Sequence, residues 1–396
     1  MDKRIVITGV GVVSSIGIGK EDFWEALIAG QSGISKISSF DTSDYPTHYG
    51  GEVKNFEPEN KNIGRASSLA IASAKLAVSD AGIQLDNLSS QETGVVIGTT
   101  MGESQVLEKL NDAWVKQGIE AIDPKLIPQY PCNVLSLNVG QELKLDGPNF
   151  VIPNACAAGN YAIGYAYDLI RMGKAKAMLA GGSDAFSRIA FIGFNRLLAV
   201  AFEKCRPFDK NRKGMLVAEG SGMLFIETLD AALKREANIY AEILGYGLSC
   251  DAHHMTAPFS EGISQAIDKA LKASQTPIDK VDYFNAHGTG TPANDKEECL
   301  AIKKVFGDYY KKLPVSSIKS MLGHTMGAAS AIEAVTCALA VKNDIIPPTI
   351  NFETLDAECD IDCVPNVARK AKVDVALNNA SAFGGNNACL VLSKYQ

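Results

Sequence analysis

Three residues of this 396-residue chain stand where side chains commonly do covalent or acid–base chemistry: Cys156, His287 and His324. Cys156 lies between a strand-like run, Phe150-Val151-Ile152, and a helical pattern beginning at Ala157. A thiol placed there meets the positive end of a helix, whose field favours the thiolate and lowers its pKa. Ala155, Ala157, Ala158 and Gly159 are small and leave room for a substrate at the sulfur. The setting is that of a nucleophile displayed on a strand–turn–helix elbow. Buried cysteines more often serve as inert apolar residues, so position alone does not decide. His287 stands in 285–292 (NAHGTGTP), a Gly/Thr loop just past a strand-like run. His324 stands in 319–327 (KSMLGHTMG), at the entrance to the next helix. A thiolate able to hold an acyl group, with two imidazoles to stabilise charge at a thioester carbonyl, suits acyl transfer.

The remaining candidates carry less. His253 and His254 are adjacent, so they cannot share one strand face, and His48 lies in a polar loop. Gly9-Val10-Gly11 follows a strand, yet the third glycine of a dinucleotide fingerprint would fall on Ser14, so a tight turn is expected there. Nine cysteines without a CxxC pair read neither as a disulfide framework nor as a zinc site, and a reducing cytoplasm is expected. The formal charge of −7 disfavours nucleic acid as a partner. Neither a signal peptide nor a run long enough to span a bilayer is found, so membrane insertion is not expected.

The elements that must position these residues alternate between strand-like and helical patterns, which defines an α/β protein. Strands are expected at 5–8, 94–98 and 177–180, and helices at 21–29, 66–80 and 157–172. The grammar then repeats. Residues 240–247 parallel the opening strand, 281–286 parallel 94–98, and 387–393 parallel 221–227. The helical pattern at 327–342 parallels the one after Cys156. Two similar halves packed as one body are expected, one over 1–240 carrying Cys156 and one over 241–396 carrying both histidines.

Several stretches, in this order, resemble the β-ketoacyl-acyl carrier protein synthases, most closely the class that elongates medium and long chains. They are 5–17 (IVITGVGVVSSIG), 23–34 (FWEALIAGQSGI), Gly147-Pro148, 206–209 (RPFD), 285–298 (NAHGTGTPANDKEE), 319–333 (KSMLGHTMGAASAIE) and 383–387 (FGGNN). The resemblance implies a thiolase-like fold of two βαβαβ-type halves, a homodimer, and no metal or redox cofactor. It implies acyl and malonyl substrates carried on the phosphopantetheine of an acyl carrier protein. Cys156 would accept the acyl group, with His287 and His324 as the decarboxylation and condensation pair. Lys319 would be their supporting cation and Glu333 its acidic partner, while Asp295 and Glu298 would be structural supports. Backbone N–H groups of Cys156 and Phe383 would form the oxyanion hole. Thr256, Thr289 and Thr291 would contact the phosphopantetheine arm. A non-catalytic chain-length-factor-like partner subunit is the alternative, and the presence of Cys156 argues against it.

The chain also departs from the family pattern. Residues 379–385 read NASAFGG, so Ser381 and Ala382 occupy positions where the family commonly has Phe and Gly, and altered gating is expected. The stretch 196–209 is shorter and lacks a usual basic contact to the carrier protein. Lys204, Arg206, Lys210, Arg212 and Lys213 could replace it as a local patch that docks an acidic carrier. Pro153-Asn154 and Met215-Leu216 fall near the expected acyl pocket, where they bear on substrate choice.

Overall fold

A computed structural model describes residues 3–60, 62–85, 88 and 92–396. Among the described residues the central sheet has eleven strands, ten of them in one continuous order. In the first half they are β1 (Ile5–Ser14), β2 (Thr93–Thr99), β3 (Asn149–Pro153), β4 (Ala177–Asp184) and β5 (Gly220–Thr228). In the second half they are β6 (Ala241–Cys250), β7 (Tyr283–Asn285), β8 (Val315–Ser316), β9 (Val375–Ser381) and β10 (Asn386–Ser393). The order is β8-β7-β9-β10-β6-β1-β5-β4-β2-β3, and a short strand, Gly17–Ile18, also pairs with β1. Outward from the centre the halves match strand for strand. Each runs first, fifth, fourth, second, third, with two antiparallel pairings followed by two parallel ones. The halves join where Ile5–Ile7 pairs antiparallel with Ala241–Ile243. The repetition seen in the sequence is therefore a repeat of topology.

Six helices bear on the placement of the candidate residues: α1 (Arg65–Asp80), α2 (Ala158–Arg171), α3 (Arg188–Arg196), α4 (Ser260–Ala273), α5 (Pro292–Phe306) and α6 (Ala329–Asn343). α1 covers the outer face of β1, β4 and β5, and α4 covers β6 and β10. Between the half-sheets lie α2 and α6, in contact with each other and with strands of both halves. Residues 329–341 of α6 are all buried, with apolar side chains on every face and the polar Ser330, Glu333 and Thr336 each given a partner inside. Ile332, Val335, Leu339 and Val341 each contribute on the order of 1.5–3 kcal/mol by leaving water. A charge at Ile332 would break this layer.

Both central helices begin with the same device. A single 3-10 turn, Ala155–Ala157 before α2 and Met326–Ala328 before α6, opens on a non-glycine residue with left-handed backbone. Ala155 has φ 30° and Met326 has φ 54°. Such conformations cost roughly 1–3 kcal/mol and persist where the surroundings over-determine them. Close backbone approach is the reason for Gly98 in β2, where a Cβ would meet the Ala158 carbonyl group at 2.3 Å.

Candidate active site

The turn after β3 delivers Cys156, which is 6% exposed. The loop after β7 delivers His287, and the segment between a single helical turn, Lys319–Leu322, and α6 delivers His324. Residues from both halves thus converge, with ligand-type atoms of Cys156, His287 and His324 all within 4.8 Å of one another. The imidazole centroids lie 5.4 Å apart with the rings at 80°. Proximity of this kind turns a bimolecular step into an effectively intramolecular one.

Each histidine is held by its backbone. The N–H groups of His287 and Gly288 donate to Glu298 at 2.7 and 2.8 Å, and Asn379 Nδ2 donates to the same carboxylate at 2.7 Å. Asp295, one turn earlier on α5, accepts the N–H groups of Gly290 at 3.1 Å and Phe208 at 2.8 Å. The stretch 285–298 is therefore a loop followed by the helix that grips it, so the two expected supports act as such. Thr291 caps α5 by accepting the Asn294 N–H at 3.3 Å. His324 donates its N–H to Leu216 O at 2.7 Å, and its Nδ1 accepts the Met326 N–H at 3.1 Å.

That last bond fixes the imidazole chemically. With Nδ1 accepting, neutral His324 carries its proton on Nε2 and presents a donor. His287 Nδ1 is buried with no hydrogen-bond partner among the described residues. Burial and the charge of Lys319 hold both imidazoles well below the usual histidine range, so they are neutral at pH 7. The trio has metal-ligand spacing, yet a metal needs a bare nitrogen, whereas the Met326 amide keeps a proton on His324 Nε2. The arrangement is built to donate to an oxygen.

Lys319 and Glu333 form a buried ion pair behind the histidines, each side chain 1% exposed. Burial pushes the Glu333 carboxyl up to about 7 against the opposing pull of Lys319. At Cys156 the structure departs from the sequence expectation. Burial pushes the thiol up to about 12, although Lys319 and the Phe383 N–H both favour the thiolate. The helix terminus alone pointed the other way. Desolvation, a property of packing, works against it.

The cavity above the trio holds about 320 Å³. Thr256, Thr289 and Thr291 line it, and Met215 lies at its wall. Leu197, Met255 and Phe383 are exposed lining residues. Phe383 packs against Phe194 of α3 with ring centroids 5.4 Å apart. Ala382 is extended, with φ −134°, a conformation that alanine accepts without strain. Lys319 and Glu333 are not among the residues that line this cavity.

Of the five cations expected to dock a carrier, Lys204, Lys210 and Lys213 are exposed. Arg212 is not. Its side chain is 3% exposed, pairs with Asp356 and donates to Asp209 O at 3.0 Å, so it leaves the docking set and joins the scaffold. Arg206 is partly buried and paired with Glu353 at 2.8 Å. Sequence reading missed Asp184, Asn379, Phe194 and Met326. Only Asp184 left a signal there, as an acid closing an apolar strand.

Residues 2–232 match the beta-ketoacyl synthase N-terminal domain family and residues 240–353 the beta-ketoacyl synthase C-terminal domain family. The chain belongs to the β-ketoacyl synthases. It is 42% identical to 3-oxoacyl-[acyl-carrier-protein] synthase 2 of Synechocystis sp., covering 100% of this chain and 99% of that protein. The synthase 2 of Coxiella burnetii is also 42% identical, over 99% of both. Among solved structures, the ishigamide ketosynthase/chain length factor superposes with a TM-score of 0.97 at 44% identity, over the full length of both chains. A type II polyketide ketosynthase in complex with its acyl-carrier protein, bound to a hexaketide, gives 0.94 at 31%, again over both full lengths. The fold is thus that of the thiolase-like ketosynthases.

Proposed function

We propose that this chain joins an acyl group held on Cys156 to malonyl-acyl carrier protein, giving β-ketoacyl-acyl carrier protein in fatty acid or specialised lipid or polyketide synthesis. The observation that carries the reading is the Cys156–His287–His324 cluster at the end of a cavity lined by three threonines. In the first step the Cys156 sulfur attacks the acyl thioester carbonyl, and its proton leaves with the carrier thiol. Backbone N–H groups of Cys156 and Phe383 serve as the oxyanion donors. Malonyl carrier then enters, with its phosphopantetheine arm along Thr256, Thr289 and Thr291. His324 Nε2–H and His287 donate to the malonyl thioester oxygen while the bond to the carboxylate breaks and CO₂ departs. The resulting enolate carbon attacks the acyl-Cys156 carbonyl, forming the new carbon–carbon bond and releasing the thiolate. Neutral imidazoles suit this task because they stabilise the enolate without adding a second cation beside Lys319. The scheme calls for no metal or redox cofactor.

The same reading places the boundary between halves at 240/241, makes the protein a cytoplasmic homodimer, and assigns Lys204, Lys210 and Lys213 to an acidic carrier. Support for carrier docking comes from the neighbour solved with its acyl-carrier protein. Among the described residues no helix is long and apolar enough to cross a membrane. A chain-length-factor-like partner is the competing reading, and one neighbour is described as a ketosynthase/chain length factor. The nucleophile separates the two. Intact mass after incubation with acyl carriers from C2 to C18 should show an adduct on the chain that Cys156→Ala abolishes. Failure of every chain length to load would favour the non-catalytic reading.

A further inference from the structure

Asp184 ends β4 fully buried, and its carboxylate accepts four hydrogen bonds from neutral donors. Three come from the end of β2 and the loop that follows: Thr99 Oγ1 at 2.8 Å, the Thr100 N–H at 2.9 Å and the Met101 N–H at 2.8 Å. The fourth comes from the other half of the molecule, the Gly327 N–H at 2.7 Å. Gly327 is spaceless on this side, since a Cβ there would meet the Thr100 N at 2.5 Å. Its neighbour Met326 holds a left-handed backbone at φ 54° and donates its N–H to His324 Nδ1. The Met326 side chain is buried among Phe186, Phe191, Met215 and Val217. The strained turn is thus clamped on one side by packing and on the other by Asp184.

We propose that Asp184 is a positioning residue, whose hold on the Gly327 amide keeps the Met326 amide on His324 Nδ1 and so locks His324 as an Nε2–H donor. The proposal rests on the ketosynthase reading for its consequence in catalysis, though not for the tautomer itself. Four donors converge on one side chain, and only a carboxylate can accept from all of them. An amide of the same shape must turn an NH₂ group toward N–H donors, which leaves at least one of them unpaired. Released from Asp184, the Met326–Gly327 peptide can relax toward ordinary backbone, and the restraint on the imidazole proton goes with it. The carboxylate lies near enough to Cys156 for its charge to disfavour the thiolate, so its role is not to activate the nucleophile.

The test uses full-length protein labelled with ¹⁵N in its histidine rings, with His324 assigned by His324→Gln. Wild-type His324 should show an unprotonated Nδ1 and a protonated Nε2 at pH 7. Asp184→Asn should give a mixture of tautomers and lower malonyl decarboxylation by about tenfold, less than the roughly hundred- to thousand-fold cost of a donor removed outright, because part of the population keeps the Nε2–H tautomer. Alkylation of Cys156 by iodoacetamide should not slow in that variant. Thr99→Val, which removes one bond to the same carboxylate and spares Gly327, should leave the His324 tautomer as in wild type. A folded Asp184→Asn protein with a single Nε2–H tautomer and wild-type decarboxylation overturns the proposal. A wild-type His324 protonated at Nδ1 overturns it whether or not any variant folds. If no acyl chain loads on Cys156, the functional reading fails while the tautomer result still stands or falls separately.

Discussion

The ammonium of Lys319 meets the carboxylate of Glu333, a residue of α6, in the interior, close enough to His287 and His324 for its charge to act on both. Removing one partner strands the other in a medium that solvates it poorly, which costs about 3–5 kcal/mol. Lys319→Met and Glu333→Leu should each destabilise by that order in urea titrations. The double variant should lose less than either single one, because no charge is left unpaired. Activity should separate from stability, since the double variant lacks the cation beside the histidines and should remain catalytically poor.

Cys156 should alkylate slowly at pH 7. Burial pushes its thiol up to about 12, so the thiolate fraction grows about tenfold with each pH unit from 7 to 10. The iodoacetamide rate should follow that slope, and Lys319→Met should lower it at every pH because the cation favours the thiolate. A plateau near pH 8 would show that the helix terminus outweighs burial.

Glu298 accepts the His287 and Gly288 amides together with Asn379 Nδ2, so Glu298→Gln must turn a donor toward a donor. A loss of about 1–3 kcal/mol in stability is expected. Malonyl decarboxylation should fall more than acylation of Cys156, because in the proposed scheme the displaced imidazole serves the second step. Single-turnover assays of each half-reaction distinguish them.

Ala382 should bear on gating through the backbone. Its extended φ suits alanine, so Ala382→Gly enlarges the unfolded ensemble and lowers stability by about 0.4–1 kcal/mol. The added freedom beside Phe383 should broaden the range of acyl chains that load, as read by intact mass. Phe194→Ala, which removes the ring against which Phe383 packs, should act in the same direction.

Lys204→Glu with Lys213→Glu should raise KM for the carrier several-fold, with the difference shrinking in high salt as exposed charges are screened. Arg212→Glu should act differently. It buries a third anion beside Asp356 and Asp295 and should unfold the protein rather than weaken docking.

Much was legible in the sequence because its signals are local. Cys156 sits in a strand–turn–helix stretch, His287 and His324 sit in Gly-rich loops, and the α/β grammar repeats within short windows. Periodicity and turn residues specify elements over a few residues, so the paired strands and both central helices could be placed. The match of 221–227 with 387–393 became the match of β5 with β10 at equivalent places in the two halves. The order of motifs supplied the family.

What tertiary structure decided concerns partners far apart in the chain. Asp184 reaches Gly327 across 143 residues and Glu298 meets Asn379 across 81, and neither pairing leaves a pattern in a local window. Burial decided two further points. Arg212 reads as one of five similar cations in sequence, yet its place under Asp356 makes it structural. Cys156 reads as an acidified thiol at a helix end, yet its desolvation makes it a weak acid. Residue identity determined which chemistry was available. Packing set the dielectric and the hydrogen bonds around each group, and these decided the protonation state in which that chemistry begins.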